Sequence, residues 1–121
     1  MANSDLEMVR LAANQKIGFT ACRSKLAEVV EKTMKAELIR NGWALERTHD
    51  LEYLLDELVA RKSDLIDVLE PLCEALTDAY FTDRYPGFDL DDPDWPALCN
   101  NLDAATKFLE TVSIRVAAKR S

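Results

Sequence analysis

Apolar residues recur at intervals of three and four along the whole chain, so it reads as helices from end to end. A first helix is expected from Ser4. There "SDLE" forms a capping box, in which Ser4 accepts from the backbone of Glu7 and the Glu7 side chain reaches back. It runs to about Lys16, with Gly18 and Thr20 marking a break. A second helix is expected over about residues 20–41, stopped by Asn41-Gly42. Cys22, Leu26, Val29, Val30, Thr33, Met34 and Leu38 share one wide face of it, opposite Lys25, Glu28, Lys32 and Lys35. Glu37 and Arg40 interrupt the apolar side. The plainer expectation is that both reach solvent near the helix end. The sharper one is that they line a polar notch or a subunit interface.

A third helix is predicted from Thr48–Asp50 to about Lys62, with Leu51, Leu54, Leu55, Leu58 and Val59 on its apolar template. Its acidic start and basic end both complement the helix dipole. A fourth follows Ser63, a capping residue, and reaches about Asp83 through Leu65, Leu69, Leu72, Leu76 and Tyr80. Pro71 inside it implies either a kink or a short first segment ending at Glu70. "RYPGFDLDDPDWP" is the one clear loop, because Pro86-Gly87 is turn chemistry. Asp91 or Asp94 then caps a fifth helix that runs to about Lys119. Leu98, Leu102, Ala105, Phe108, Leu109, Val112 and Val116 face inward on it. The expected architecture is all-α: an up-and-down bundle of four long helices plus a short or kinked one, in a single domain spanning residues 1–121. Trp43, just past the second helix, is expected to staple the core rather than to anchor an interface.

Charge narrows the possible roles. The net charge of −7 argues against a protein that grips nucleic acid by bulk electrostatics. The charge is uneven, however. Residues 1–62 carry ten Lys/Arg against ten Asp/Glu, and residues 63–121 carry five against twelve. An anion-binding surface therefore belongs in the first half. The three widely spaced cysteines, Cys22, Cys73 and Cys99, include no C-x-x-C pair and fit reduced thiols in a cytoplasmic protein. "MANSDLEMVR" lacks a basic segment followed by an apolar stretch, so no signal peptide is expected, and no apolar run suggests a membrane span.

Several chemistries lack their residues. One histidine and scattered cysteines make no zinc set, and no cofactor is expected. The acidic loop at Asp89, Asp91, Asp92 and Asp94 lacks the turn glycine and distal glutamate of a calcium loop. Isolated glycines make no phosphate cradle, and no serine or cysteine sits in a nucleophile context. What remains is a basic and polar set: Lys32 and Lys35 on the second helix, Arg47, His49 and Asp50 at the entry to the third, and Arg84 and Tyr85 at the end of the fourth. An arginine and a histidine beside a helix start suit a phosphate. His49 there can also move a proton in phosphodiester cleavage, which makes it the tentative catalytic residue. Thr48 and Asp50 serve as capping and supporting groups.

"VVEKTMKAELIRNG", "RTHDLEYLLDEL" and "DRYPG", in that order, resemble the HEPN domain over about residues 5–116. The Glu-Lys-x-x-x-Lys-Ala pattern stands at Glu31, Lys32, Lys35 and Ala36. Thr-His-Asp-Leu stands at Thr48 to Leu51, and Arg-Tyr-Pro at Arg84, Tyr85 and Pro86. The resemblance implies a helical homodimer that associates with nucleotide or RNA, with Lys32, Lys35, Arg47, Arg84 and Tyr85 as the binding residues. It also implies a minimal nucleotidyltransferase antitoxin as a partner, this chain being the toxin side. Active members of the family carry an arginine followed after four to six residues by a histidine. Counting back from His49, those positions hold Gly42, Trp43 and Ala44. The motif does not transfer, so enzymatic activity is left open. The first reading is a nucleotide- or RNA-binding protein. The alternatives are a metal-independent endoribonuclease using His49 with Arg47 or Arg84, and a dimeric interaction module without a ligand.

Overall fold

The computed structural model describes the backbone of residues 2–84 and 94–120, and the side chains of residues 4–77 and 94–118. The helices are α1 (Ala2–Asn14), α2 (Phe19–Arg40), α3 (Leu51–Ala60), α4 (Ile66–Arg84) and α5 (Trp95–Arg120). The described residues contain no strand, and the fold is an all-α bundle. α2 is its axis. It packs against each of the other four helices, while α1 meets α5, α5 meets α4 and α4 meets α3 around it.

The central place of α2 follows from its sequence. Leu26, Ala27, Val30, Met34 and Leu38 are fully buried, and Cys22 and Val29 nearly so, which closes more than one face of the helix. They meet Leu54 and Leu58 of α3, Leu69 and Leu76 of α4, and Leu102 and Phe108 of α5 in one continuous core. Burying each such side chain contributes about 1.5–3 kcal/mol.

The first three helices end in the same way. Ile17 N–H bonds to Ala12 carbonyl, Trp43 N–H to Leu38 carbonyl and Ser63 N–H to Leu58 carbonyl, at 2.9, 2.9 and 3.1 Å. One residue earlier in each case, a residue with positive φ closes the turn: Lys16 at 54°, Gly42 at 92° and Lys62 at 55°. This is the Schellman ending. It turns Trp43 back into the core, where it is 6% exposed, so Trp43 is the core staple its position predicts.

Some expectations need correction. Ser4 lies inside the first turn of α1, which begins at Ala2, so the capping box does not open the helix. Helix ends are set by a turn or so of weakly held backbone, and a capping pattern near the terminus does not pin them. Val59 is half exposed, because the ten-residue α3 buries only Leu51, Leu54 and Leu58 on its narrow inner stripe. α4 continues as one helix through Pro71, so the short first segment ending at Glu70 does not form. The proline removes one hydrogen bond near the helix start, and the buried Leu69 and Leu72 beside it hold the segment in place. At the start of α5, Asp94 is the capping residue, accepting from Ala97 N–H at 3.0 Å. The side chains of Tyr80 and Arg84, and Tyr85 with the rest of the acidic loop, including Asp89, Asp91 and Asp92, lie outside the described residues.

The plain account of Glu37 is wrong. Its carboxylate is completely buried. Arg40 Nε lies 2.5 Å from Oε1, Arg115 Nη1 lies 2.9 Å from Oε2, and Asn41 Nδ2 donates to Oε1 at 3.3 Å. Glu37 thus lines a polar notch within the chain. A helix-end residue stays buried here because α5 brings a guanidinium to it, and this cannot be read from α2 alone.

Candidate functional site

The linker of residues 43–50 has no regular structure, yet it is fastened at short intervals. Trp43 anchors one end in the core. Tyr53 Oη donates to the Glu46 carboxylate, and that bond pushes the tyrosine hydroxyl up to about 12. Thr48 Oγ1 accepts from Asp50 N–H at 3.2 Å. Asp50 caps α3, accepting from Glu52 and Tyr53 N–H at 3.0 and 3.3 Å. Thr48 and Asp50 therefore hold the linker as their positions suggest. The cap has a second effect: the carboxylate already occupies the positive end of α3. An anion arriving here meets side chains rather than open backbone donors.

His49 stands on this linker with its side chain 81% exposed. Its Nδ1 faces Glu31 Oε1 across 2.9 Å. Glu31 itself is only 5% exposed and takes Lys35 Nζ on its other oxygen at 3.2 Å. The structure thus brings Lys35 and His49 together on one buried carboxylate. Arg47 is exposed two residues away, and none of the ion pairs among the described residues involves it.

Lys32 belongs to another surface. It pairs with Glu28 along α2 at 3.1 Å, and this contact lowers the Glu28 carboxyl and raises the lysine. It lines an apolar groove of about 530 Å³ between α2 and α5, with Thr33, Ala36, Leu109, Val112, Ser113, Val116 and Ala117. Of the five expected binding residues, only Lys35 and Arg47 are described close to the His49 linker. Arg84 closes α4 with its backbone alone described, and Tyr85 falls beyond it.

Sequence reasoning treated Glu31 only as part of a motif. Its position carried a signal. It lies four residues after Ala27 and three before Met34, both fully buried, so an acid there requires a partner inside the fold. The family model of the HEPN domain matches residues 1–118. This chain belongs to the HEPN family. Searches of curated proteins and of solved structures found no match. HEPN domains are helical, have nucleotide- and RNA-related roles, and commonly dimerise. Among the described residues, no helix of this HEPN domain is long and apolar enough to cross a membrane.

The HEPN resemblance carries an arginine expectation, and here the geometry explains its failure. Gly42 sits at φ 92°, where a side chain is strained, and Trp43 is needed in the core. Two of the three positions that would hold the arginine are thus committed to ending α2. Only Ala44 is exposed and unconstrained.

Proposed function

We propose that this HEPN domain binds a nucleotide or RNA through its 43–50 linker, with His49 and Arg47 meeting the phosphate. One observation carries the reading: His49 and Arg47 are both exposed on a segment that Trp43, Glu46, Glu31 and Asp50 hold in a fixed shape. A pre-shaped segment loses little entropy on binding, which favours recognition. Lys35 supports the site through Glu31 and adds positive charge behind the ring. Lys32 lies along α2, away from the linker, and serves a longer ligand such as RNA in this reading; Arg84 and Tyr85 are carried as further binding residues by the family resemblance alone. The domain works as a cytoplasmic homodimer, and a nucleotidyltransferase antitoxin is its proposed partner.

Adenosine monophosphate titrated against the protein tests the reading, because the single histidine gives one set of ring signals to follow. The expected result is a saturable shift of the His49 ring signals that Arg47→Ala weakens. Ring signals unmoved at millimolar nucleotide would overturn it and leave the ligand-free dimeric module.

A further inference from the structure

Three polar residues are buried among those described: Glu31, Thr33 and Glu37. The Thr33 hydroxyl returns to Val29 carbonyl within its own helix at 2.8 Å. Glu37 ties α2 to α5. Glu31 does something else: it directs one carboxylate oxygen at a single nitrogen of an exposed imidazole.

A carboxylate only accepts, so the nitrogen facing it must carry the proton. At His49 that nitrogen is Nδ1, 2.9 Å from Glu31 Oε1. When the ring is neutral its other nitrogen, Nε2, is then bare. Which nitrogen of a histidine holds the proton is set by the bond the other one makes.

We infer that Glu31 is the positioning residue of His49, holding the neutral ring in its Nδ1–H form and presenting an unprotonated Nε2 to the ligand. The inference rests on the reading of His49 as the ligand-facing group. A bare Nε2 accepts from a ribose hydroxyl but cannot donate to a phosphate oxygen. Contact with a phosphate therefore requires His49 to take up one proton, and anion binding here is proton-linked.

The surrounding charges allow this. From α2, Lys35 and Glu31 offset each other. Farther along α2, Lys32 is paired with Glu28 and feels Asp5 of α1. On the linker, Glu46 is taken by Tyr53 of α3, and Asp50 by the first amides of α3. Arg47, exposed two residues before His49 on the same linker, is left as the permanent cation of this segment. Protonating His49 adds a second cation and a donor at Nε2.

Glu31→Gln separates this role from packing, because it keeps the shape of the side chain. Lys35 Nζ can only donate, so the amide oxygen turns to Lys35 and the amide NH2 faces His49 Nδ1. Nδ1 must then accept, and the proton moves to Nε2. Ring-nitrogen chemical shifts measured well above the ordinary histidine value of ~6.5 read this directly. The expected wild-type spectrum shows a protonated Nδ1 and a bare Nε2, and Glu31→Gln exchanges the two. Lys35→Met should keep the wild-type pattern. A wild-type ring in the Nε2–H form overturns the inference, whether or not the variant folds. So does a folded Glu31→Gln with an unchanged ring.

The ligand half is tested with a ribodinucleotide of adenosine, whose phosphodiester keeps one charge across the range. Once the ring is neutral, wild-type affinity should fall about tenfold for each further pH unit, the slope of one linked proton. Glu31→Gln, already carrying a donor at Nε2, should give a flatter profile. Binding by wild type with no pH slope overturns the proton linkage. A ring of the expected form that ignores both the dinucleotide and adenosine monophosphate overturns the proposed ligand site and leaves the positioning role of Glu31 intact.

Discussion

Arg115 of α5 spans two carboxylates: its Nη1 lies 2.9 Å from the buried Glu37 of α2, and its Nη2 lies 2.7 Å from the exposed Asp64 that precedes α4. One guanidinium thus ties α2 and α5 to the segment between α3 and α4, at the end of the bundle that also carries the 43–50 linker. A hydrogen bond to a charged group contributes about 1.5–3 kcal/mol, and a buried charge left short of partners costs more than the pair contributes. Arg115→Met should destabilise the domain by about 2–3 kcal/mol, read from its denaturant midpoint. Arg40 and Asn41 still reach Glu37, which keeps the loss from being larger. Adding Glu37→Met should recover most of the loss, because the charge that needed the partner is gone. A double variant no more stable than Arg115→Met would show that the ion pair is not what holds these helices.

The same contact predicts how acid acts on the fold. The Arg115 guanidinium beside Asp64 holds that carboxyl below its ordinary value, and Lys32 does the same for Glu28. A carboxyl lowered in the folded chain stabilises it at every pH above the unfolded value of ~4. The contribution is lost as pH falls through the folded value. Melting temperature should therefore drop between pH ~4 and ~2, and Asp64→Asn should flatten that drop. Asp64 is 70% exposed, so its own share is small, and salt should reduce it further.

The helices were legible in the chain because each buries one face and periodicity records that face. Trp43 and Asp94 were legible too, since turn and capping chemistry is local. Two features were not. Glu37 looked like a helix-end residue because Arg115, its partner, is 78 residues away. Glu31 looked like one letter of a motif because the imidazole it meets comes from a linker with no period of its own. Burial of a charge depends on what another element brings to it, and a helical wheel does not contain that information. The reverse case is Val59, which fits the apolar template but stays half exposed because α3 is short.

The thiols should differ in reactivity. Burial pushes the Cys73 thiol up to about 12, and it raises Cys22 as well. Cys99 is only half-buried. Since the thiolate is the reacting form, a disulfide reagent at neutral pH should label Cys99 first in the folded protein. Cys22 and Cys73 should react only after denaturant is added. Mass spectrometry of peptides after a timed exposure distinguishes the sites, and early labelling of Cys73 would contradict the packing described for α4.

Positions 42, 43 and 44 offer the sharpest contrast, because the family's arginine would fall on one of them and each is used differently. Gly42→Arg places a side chain at φ 92°, in the region where a residue other than glycine costs about 1–2 kcal/mol. Trp43→Arg empties part of the core and puts a cation there, for a loss of at least about 3–5 kcal/mol. Ala44→Arg changes an exposed residue and should leave stability within about 0.5 kcal/mol. It also restores the spacing to His49 found in active relatives and adds a cation on the linker. Ala44→Arg should therefore bind adenosine monophosphate several-fold more tightly than wild type with an unchanged melting temperature. RNA cleavage in chelator by this variant, lost again in Ala44→Arg/His49→Ala, would show that the fold retains a nuclease geometry and lacks only the arginine. Tighter binding without cleavage would place the domain among those that hold the ligand and leave it intact.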